Sequence, residues 1–174
     1  MKTLKILSLA MALSAISAGC VLFAEPYKTT KHFDLGTPKR IQGAKIDVSS
    51  VTMDGPYKRK MAYRANGNEL LFDEYNSWAA SPERMLANYL AISLSDGESK
   101  SDAEAAVEIL TFELNMETKE AVLTVKYTLK RGNGKKTSRP TMKTKLDGDS
   151  PEDFAKAMAR NAEKLAADIA EKTE

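Results

Sequence analysis

Residues 55–94, GPYKRKMAYRANGNELLFDEYNSWAASPERMLANYLAISL, constrain this chain most, because a hairpin there runs straight into a helix. Met61 to Arg64 and Leu70 to Glu74 are short apolar and aromatic segments. Between them Asn66-Gly67 supplies residues that tolerate positive φ, as a tight hairpin requires. Trp78 stands just ahead of Ser81-Pro82-Glu83, a helix start in which Ser81 is placed to cap, Pro82 fits the first turn and Glu83 suits the positive dipole end. Met85, Leu86, Tyr89, Leu90 and Leu94 then form an apolar stripe at helical spacing. A helix of this kind must pack on the sheet that its own hairpin begins. The stretch carries no visible catalytic chemistry.

The flanking chain supplies the rest of the sheet. Ile46, Val48 and Val51 predict a first central strand over about 44–52, closed by the turn Gly55-Pro56. After a polar loop over 95–102, apolar residues resume from Ala105 to Met116, and their alternation slips phase. Val107 and Ile109 share one face, whereas Leu110, Phe112, Leu114 and Met116 share the other. Either both faces are covered or a bulge sits near Ile109-Leu110. Leu123, Val125, Tyr127 and Leu129 alternate with Thr124, Lys126, Thr128 and Lys130, which reads as a strand with one wet face. Gly132-Asn133-Gly134 turns the chain into a strand over 137–146. Pro140 places that strand at an edge, because proline cannot donate to a ladder. Ser150-Pro151-Glu152-Asp153 starts a second helix with a capping box, and Phe154, Met158, Leu165 and Ile169 form its buried stripe.

The expected fold class is therefore α+β, in the order β-β-β-α-β-β-β-α. It predicts a mostly antiparallel sheet of about six strands with two long amphipathic helices packed on one face. The other face, rich in Thr and Lys, stays solvated or meets a partner.

At the N-terminus, Lys2 and Lys5 lead into an uncharged run from Ile6 to Ala24, the pattern of an export signal. Ser17-Ala18-Gly19-Cys20 approximates a lipobox, in which the thiol is lipidated and Cys20 becomes the first mature residue. Two other readings stay open: cleavage after Ala24, giving a soluble periplasmic chain, or an uncleaved signal anchor close to the ~20 residues that a spanning helix needs. The expected division is an export signal over 1–19, a lipidated N-terminus and tether over 20–40, and one domain over 41–174.

Removing Lys2 and Lys5 with the signal brings the 26 basic residues to 24, against 24 acidic ones. A formally neutral chain argues against a nucleic-acid binder, which needs a sustained positive field. One cysteine excludes an intrachain disulfide framework and any Cys-rich metal site, and the lone His32 has no partner at metal-binding or acid–base spacing. Nothing implies a cofactor. The residues describe an exported, non-enzymatic module that works by binding.

The same central stretch resembles the ABC-type transport auxiliary lipoprotein family. The shared elements are Pro56-Tyr57, the basic run Lys58-Arg59-Lys60, the strand Met61-Ala62-Tyr63-Arg64, the segment Tyr75-Asn76-Ser77-Trp78-Ala79 and the helix-initiating Pro82. His32-Phe33-Asp34-Leu35 is similar to the family's aromatic-rich opening strand. The resemblance implies an envelope lipoprotein that serves an ABC-type or mammalian-cell-entry (MCE) system moving phospholipids or other hydrophobic compounds between membranes. In that picture the acyl group at Cys20 holds the domain to a membrane while its surface docks the periplasmic part of the transporter. Self-association is compatible with it. Val21 in place of Asp after the cysteine points to the outer membrane under enterobacterial-type sorting. Position and chemistry make Tyr57, Arg59, Arg64 and Trp78 the candidates for the docking surface, each with a purely structural role as its alternative. A rival reading from another class is a regulatory lipoprotein that binds a cell-wall enzyme.

Overall fold

In the computed structural model, residues 28–95, 97 and 101–173 are described. The candidate lipidation site Cys20 and the export signal lie outside them. The described chain forms ten elements: β1 (Lys31–Phe33), β2 (Ile46–Met53), β3 (Lys60–Ala65), β4 (Glu69–Trp78), α1 (Pro82–Ser93), β5 (Ala103–Asn115), β6 (Glu120–Arg131), β7 (Gly134–Ser138), β8 (Thr141–Lys145) and α2 (Pro151–Glu171).

The fold is α+β, but the sheet is mixed and has eight strands. This corrects the expected mostly antiparallel sheet of about six. Its order is β1-β4-β3-β5-β6-β7, with β2 added beside β5 and β8 beside β6. The hairpins β3–β4 and β5–β6 are antiparallel, as their turns dictate. Between them α1 carries the chain back, so β5 starts beside Ile46 and runs parallel first to β2 and then to β3. Strands β2 and β3 thus lie end to end along one edge of β5, and β2 pairs only there. A parallel crossover has no hairpin turn to announce it, which is why local sequence did not reveal it. On the other side of the sheet, Arg139-Pro140 breaks the expected edge strand into β7 and β8, both paired with β6. At the opposite edge β1 pairs parallel with the end of β4. Strand β1 and the buried Leu35 lie within the segment read as a tether, yet they join the sheet and the core.

The phase slip in β5 is a bulge: its register with β6 shifts between Ile109 and Thr111. Ile109 and Phe112 are both buried, at 0% and 1% exposure. The extra residue keeps apolar side chains three apart on one face. In β6, Ala121, Leu123, Val125, Tyr127 and Leu129 are buried against that same core, and α1 and α2 pack side by side on it. The Asn66-Gly67 turn takes positive φ at both residues, 47° and 70°. The two helix starts differ. Ser150 closes a full capping box with Asp153, whereas the Ser81 side chain makes no capping hydrogen bond and Pro82 and Glu83 alone mark that start.

Candidate functional site

The sheet face away from the helices holds the only charged network of the fold, among the described residues, that centres on a buried carboxylate. Pairing of Tyr63 with Leu114 and of Arg64 with Asn115 sends Tyr63 toward the core and Arg64 toward the open face. Glu113, two residues before Asn115, shares that face. It is 7% exposed and accepts from Arg64 Nε at 2.9 Å, from Arg64 Nη2 at 2.8 Å and from the Tyr57 hydroxyl at 2.5 Å. The two guanidinium contacts make a forked pair that fixes orientation as well as charge. Burial, reinforced by the Glu113 carboxylate, pushes the Tyr57 hydroxyl up to about 12. Its hydrogen bond to Glu113 raises Arg64 further above its already high value. Tyr57 is therefore a fixed proton donor, and Glu113 is fully engaged by its three donors.

Tyr57 belongs to the loop that joins β2 to β3, and the residues after it form a basic shoulder. Arg59 ties this shoulder to the strand–helix corner: its carbonyl accepts from the Trp78 amide at 2.6 Å, and its Nη2 donates to the Ala79 carbonyl at 2.8 Å. Pro56, Lys58, Arg59, Lys60 and Phe72 line an open concavity of about 560 Å³. Phe72 pairs with Ala62 in the hairpin and remains 38% exposed, an apolar ring among three cations.

Beyond Phe72, β4 bulges out of register with β3. Asp73 holds the bulge. Its Oδ1 accepts from the Tyr75 and Asn76 amides, both at 2.8 Å, and its Oδ2 from the Tyr63 hydroxyl at 2.8 Å and Asn76 Nδ2 at 2.9 Å. Burial by itself raises the Asp73 carboxyl, but the hydrogen bonds from Asn76, the Tyr75 amide and Tyr63 outweigh it and hold it below its ordinary value. The bulge projects Tyr75, 42% exposed, beside a second concavity of about 590 Å³ between the chain entering β1 and the start of α2.

Of the residues the sequence offered, Tyr57 and Arg64 are brought together, through Glu113, and Arg59 stands next to them. Two docking candidates are corrected: Tyr57 is 6% exposed with its hydroxyl turned inward to Glu113, and Trp78 is buried more deeply still. Its indole is 1% exposed and sits edge-on to Phe112 at 5.2 Å and Phe154 at 5.4 Å between centroids, so it supports the surface from beneath and presents nothing to a partner. Sequence reasoning missed Glu113. No local signal marked it: an acid between Phe112 and Leu114 has the pattern of any wet-face strand residue, as Glu108 between Val107 and Ile109 does. Among the described residues no group of three His, Cys, Asp or Glu could hold a metal ion, and no helix is long and apolar enough to cross a membrane.

The family profile described as "ABC-type transport auxiliary lipoprotein component" matches residues 36–170. Among curated proteins none matches the chain. The fold is similar to that of an uncharacterized protein whose crystal structure superposes with a TM-score of 0.71 at 16% identity, covering 84% of this chain and 99% of the other. It is also similar to a DUF330-family protein of Xanthomonas campestris, with a TM-score of 0.63 at 13% identity over 83% and 85% of the two chains.

Proposed function

Since the chain belongs to the ABC-type transport auxiliary lipoprotein family, we propose that it is a non-enzymatic envelope lipoprotein that docks the periplasmic part of an MCE-type transporter of lipids or other hydrophobic compounds. In this reading Cys20 is acylated, the mature chain starts there, and Val21 directs it to the outer membrane. The docking surface is the shoulder of Lys58, Arg59 and Lys60 with Phe72, braced by Tyr57, Glu113 and Arg64.

The observation that carries the reading is the combination on one rigid shoulder of an exposed aromatic ring with three cations. Buried aromatic anchors rimmed by charge dominate protein interfaces. The network beneath it is built for rigidity. A carboxylate with three donors and a tyrosine held protonated leave neither a free base nor a nucleophile.

The test is binding of the purified full-length protein in detergent to the purified periplasmic part of the transporter. Replacing Phe72 with Ala and Lys58 with Glu together is expected to weaken binding at least tenfold, on the order of 1.4 kcal/mol. The fold should be intact, since both side chains are exposed. Undiminished affinity in that variant would move the docking surface elsewhere.

A further inference from the structure

We propose that the edge formed by β7 and β8 is a seat for the surface of an anionic bilayer, and that it sets how the tethered domain stands on its membrane. The inference rests on the membrane location proposed above and adds a second membrane contact to it.

Residues 131–146 contain Arg131, Lys135, Lys136, Arg139, Lys143 and Lys145 and no acid. In a formally neutral mature chain this leaves an excess of acids everywhere else, so the charge is segregated. Lys135, Lys136, Arg139, Lys143 and Lys145 are exposed, and among the described residues none has an anionic partner. The neighbouring β6 cations behave differently: Lys126 meets Glu108 at 3.2 Å and Lys130 meets Glu104 at 3.7 Å. Strand register puts Lys135 directly opposite Lys130, a like-charge pair that costs stability, and Lys145 opposite Glu120, with which it forms no ion pair.

The plain alternative is that these lysines keep the edge from pairing with other chains. On β8 that task is already met. Lys164 Nζ donates to the Lys143 carbonyl at 2.7 Å and Arg160 Nη2 to the Lys145 carbonyl at 3.1 Å, so side chains of α2 occupy the outer acceptors of β8. Pro140 interrupts the edge besides. The β8 cations therefore exceed what guarding requires. What they and the β7 cations do provide is cationic charge on both faces of one edge, with Lys136 opposite buried Leu129 and Lys135 opposite exposed Lys130. Its complement is a plane of phosphates that the edge meets end-on, each cation near an anionic membrane strengthening binding about fivefold.

The tether permits the contact. Eleven residue steps separate Cys20 from Lys31 and reach at most about 40 Å. From β1 the sheet spans five strand spacings to β7, roughly 24 Å. Both edges can therefore address one bilayer.

The test uses the mature full-length protein with vesicles of phosphatidylcholine alone or mixed with phosphatidylglycerol. Its intact mass, taken first, shows whether Cys20 is acylated, so a failure of the anchor is separate from a failure of the edge. Lysine acetylation read by mass spectrometry is expected to slow about fivefold at Lys135, Lys136, Lys143 and Lys145 in the anionic vesicles. It should recover at high salt and stay unchanged at Lys156 on α2. In a Lys135→Glu/Arg139→Glu/Lys143→Glu variant the protection of Lys136 and Lys145 should vanish. A Lys31→Glu/Lys58→Glu/Lys60→Glu variant, with the same change of net charge, should keep it. Equal labelling in the two lipids, or equal loss in both variants, would overturn the proposal. Protection by added polyglutamate but not by anionic lipid would overturn it in favour of an acidic protein segment.

Discussion

Replacing Glu113 with Ala removes the carboxylate that both Arg64 and Tyr57 bond. The guanidinium then loses a forked partner at 2.8 and 2.9 Å, and the Tyr57 hydroxyl is left buried without its acceptor. Breaking a buried ion pair from one side costs about 3–5 kcal/mol. The Arg64 side chain is 26% exposed and recovers part of this from water, so about 3 kcal/mol is expected once the stranded hydroxyl is included. For a domain of this size that lowers the melting temperature by about 6–12 °C. Glu113→Gln, which keeps a neutral acceptor, should lose roughly half as much. The sharper measurement is a double-mutant cycle by equilibrium urea unfolding. Glu113→Leu with Arg64→Met removes both charges and should be at least ~2 kcal/mol more stable than the sum of the two single effects predicts. Additive losses, or a Glu113→Ala shift below about 2 °C, would show that the network does not hold the shoulder.

Tyr57 supplies an alkaline signature. Its folded value of about 12 lies above the ordinary 10, so the protonated form stabilises the fold fully below pH 10 and that contribution, about 2–3 kcal/mol, disappears as pH rises from 10 to 12. Tyr57→Phe should be about 1 kcal/mol less stable at neutral pH and show a shallower decline over that window. Asp73 supplies the acid counterpart. Its depressed value stabilises the fold above the ordinary carboxylate range, and the contribution is lost as pH falls through the folded value, so Asp73→Asn should flatten the acid arm of a urea-midpoint profile. Trp78, the sole tryptophan, should emit in the blue when folded and shift red on unfolding. Trp78→Ala should cost about 3–5 kcal/mol by the same assay, because it empties the contact with Phe112 and Phe154.

What the sequence disclosed and what it withheld divide along one physical line. The Asn66-Gly67 turn, the Ser150 capping box, the edge character imposed by Pro140 and the alternation of β6 are local, and all four are present. The slipped phase at Leu110 even announced its bulge as one of two options. The parallel pairing of β5 with β2 and β3 depends on where α1 returns the chain, which no short window encodes. The same limit applies to the site. Tyr57 and Arg64 stood out by position and chemistry, but Glu113 lies 49 residues from Arg64 and is joined to it only by that parallel register. For Trp78 the strand–helix corner already favoured sealing the core over facing a partner. The rings of Phe112 and Phe154, contributed by distant elements, decide for the core.

The two surfaces constrain one another. The shoulder lies toward β3 and β4, and the cationic edge at β7 and β8, on opposite sides of a single sheet. If the helix-free face lay flat on the bilayer, Lys58, Lys60 and Phe72 would be pressed into headgroups and closed to a protein partner. If the domain stands on its β7–β8 edge, the shoulder is held above the membrane and faces sideways, and the tether's reach exceeds the width of the sheet it must climb. Of the two, only the upright arrangement satisfies the proposed membrane and transporter contacts at once. The labelling experiment separates the two: upright, Lys58 and Lys60 react equally in neutral and anionic vesicles while Lys143 and Lys145 are protected. Protection of all four would mean that the domain lies flat and that the shoulder meets lipid, which would remove it as the transporter's docking surface.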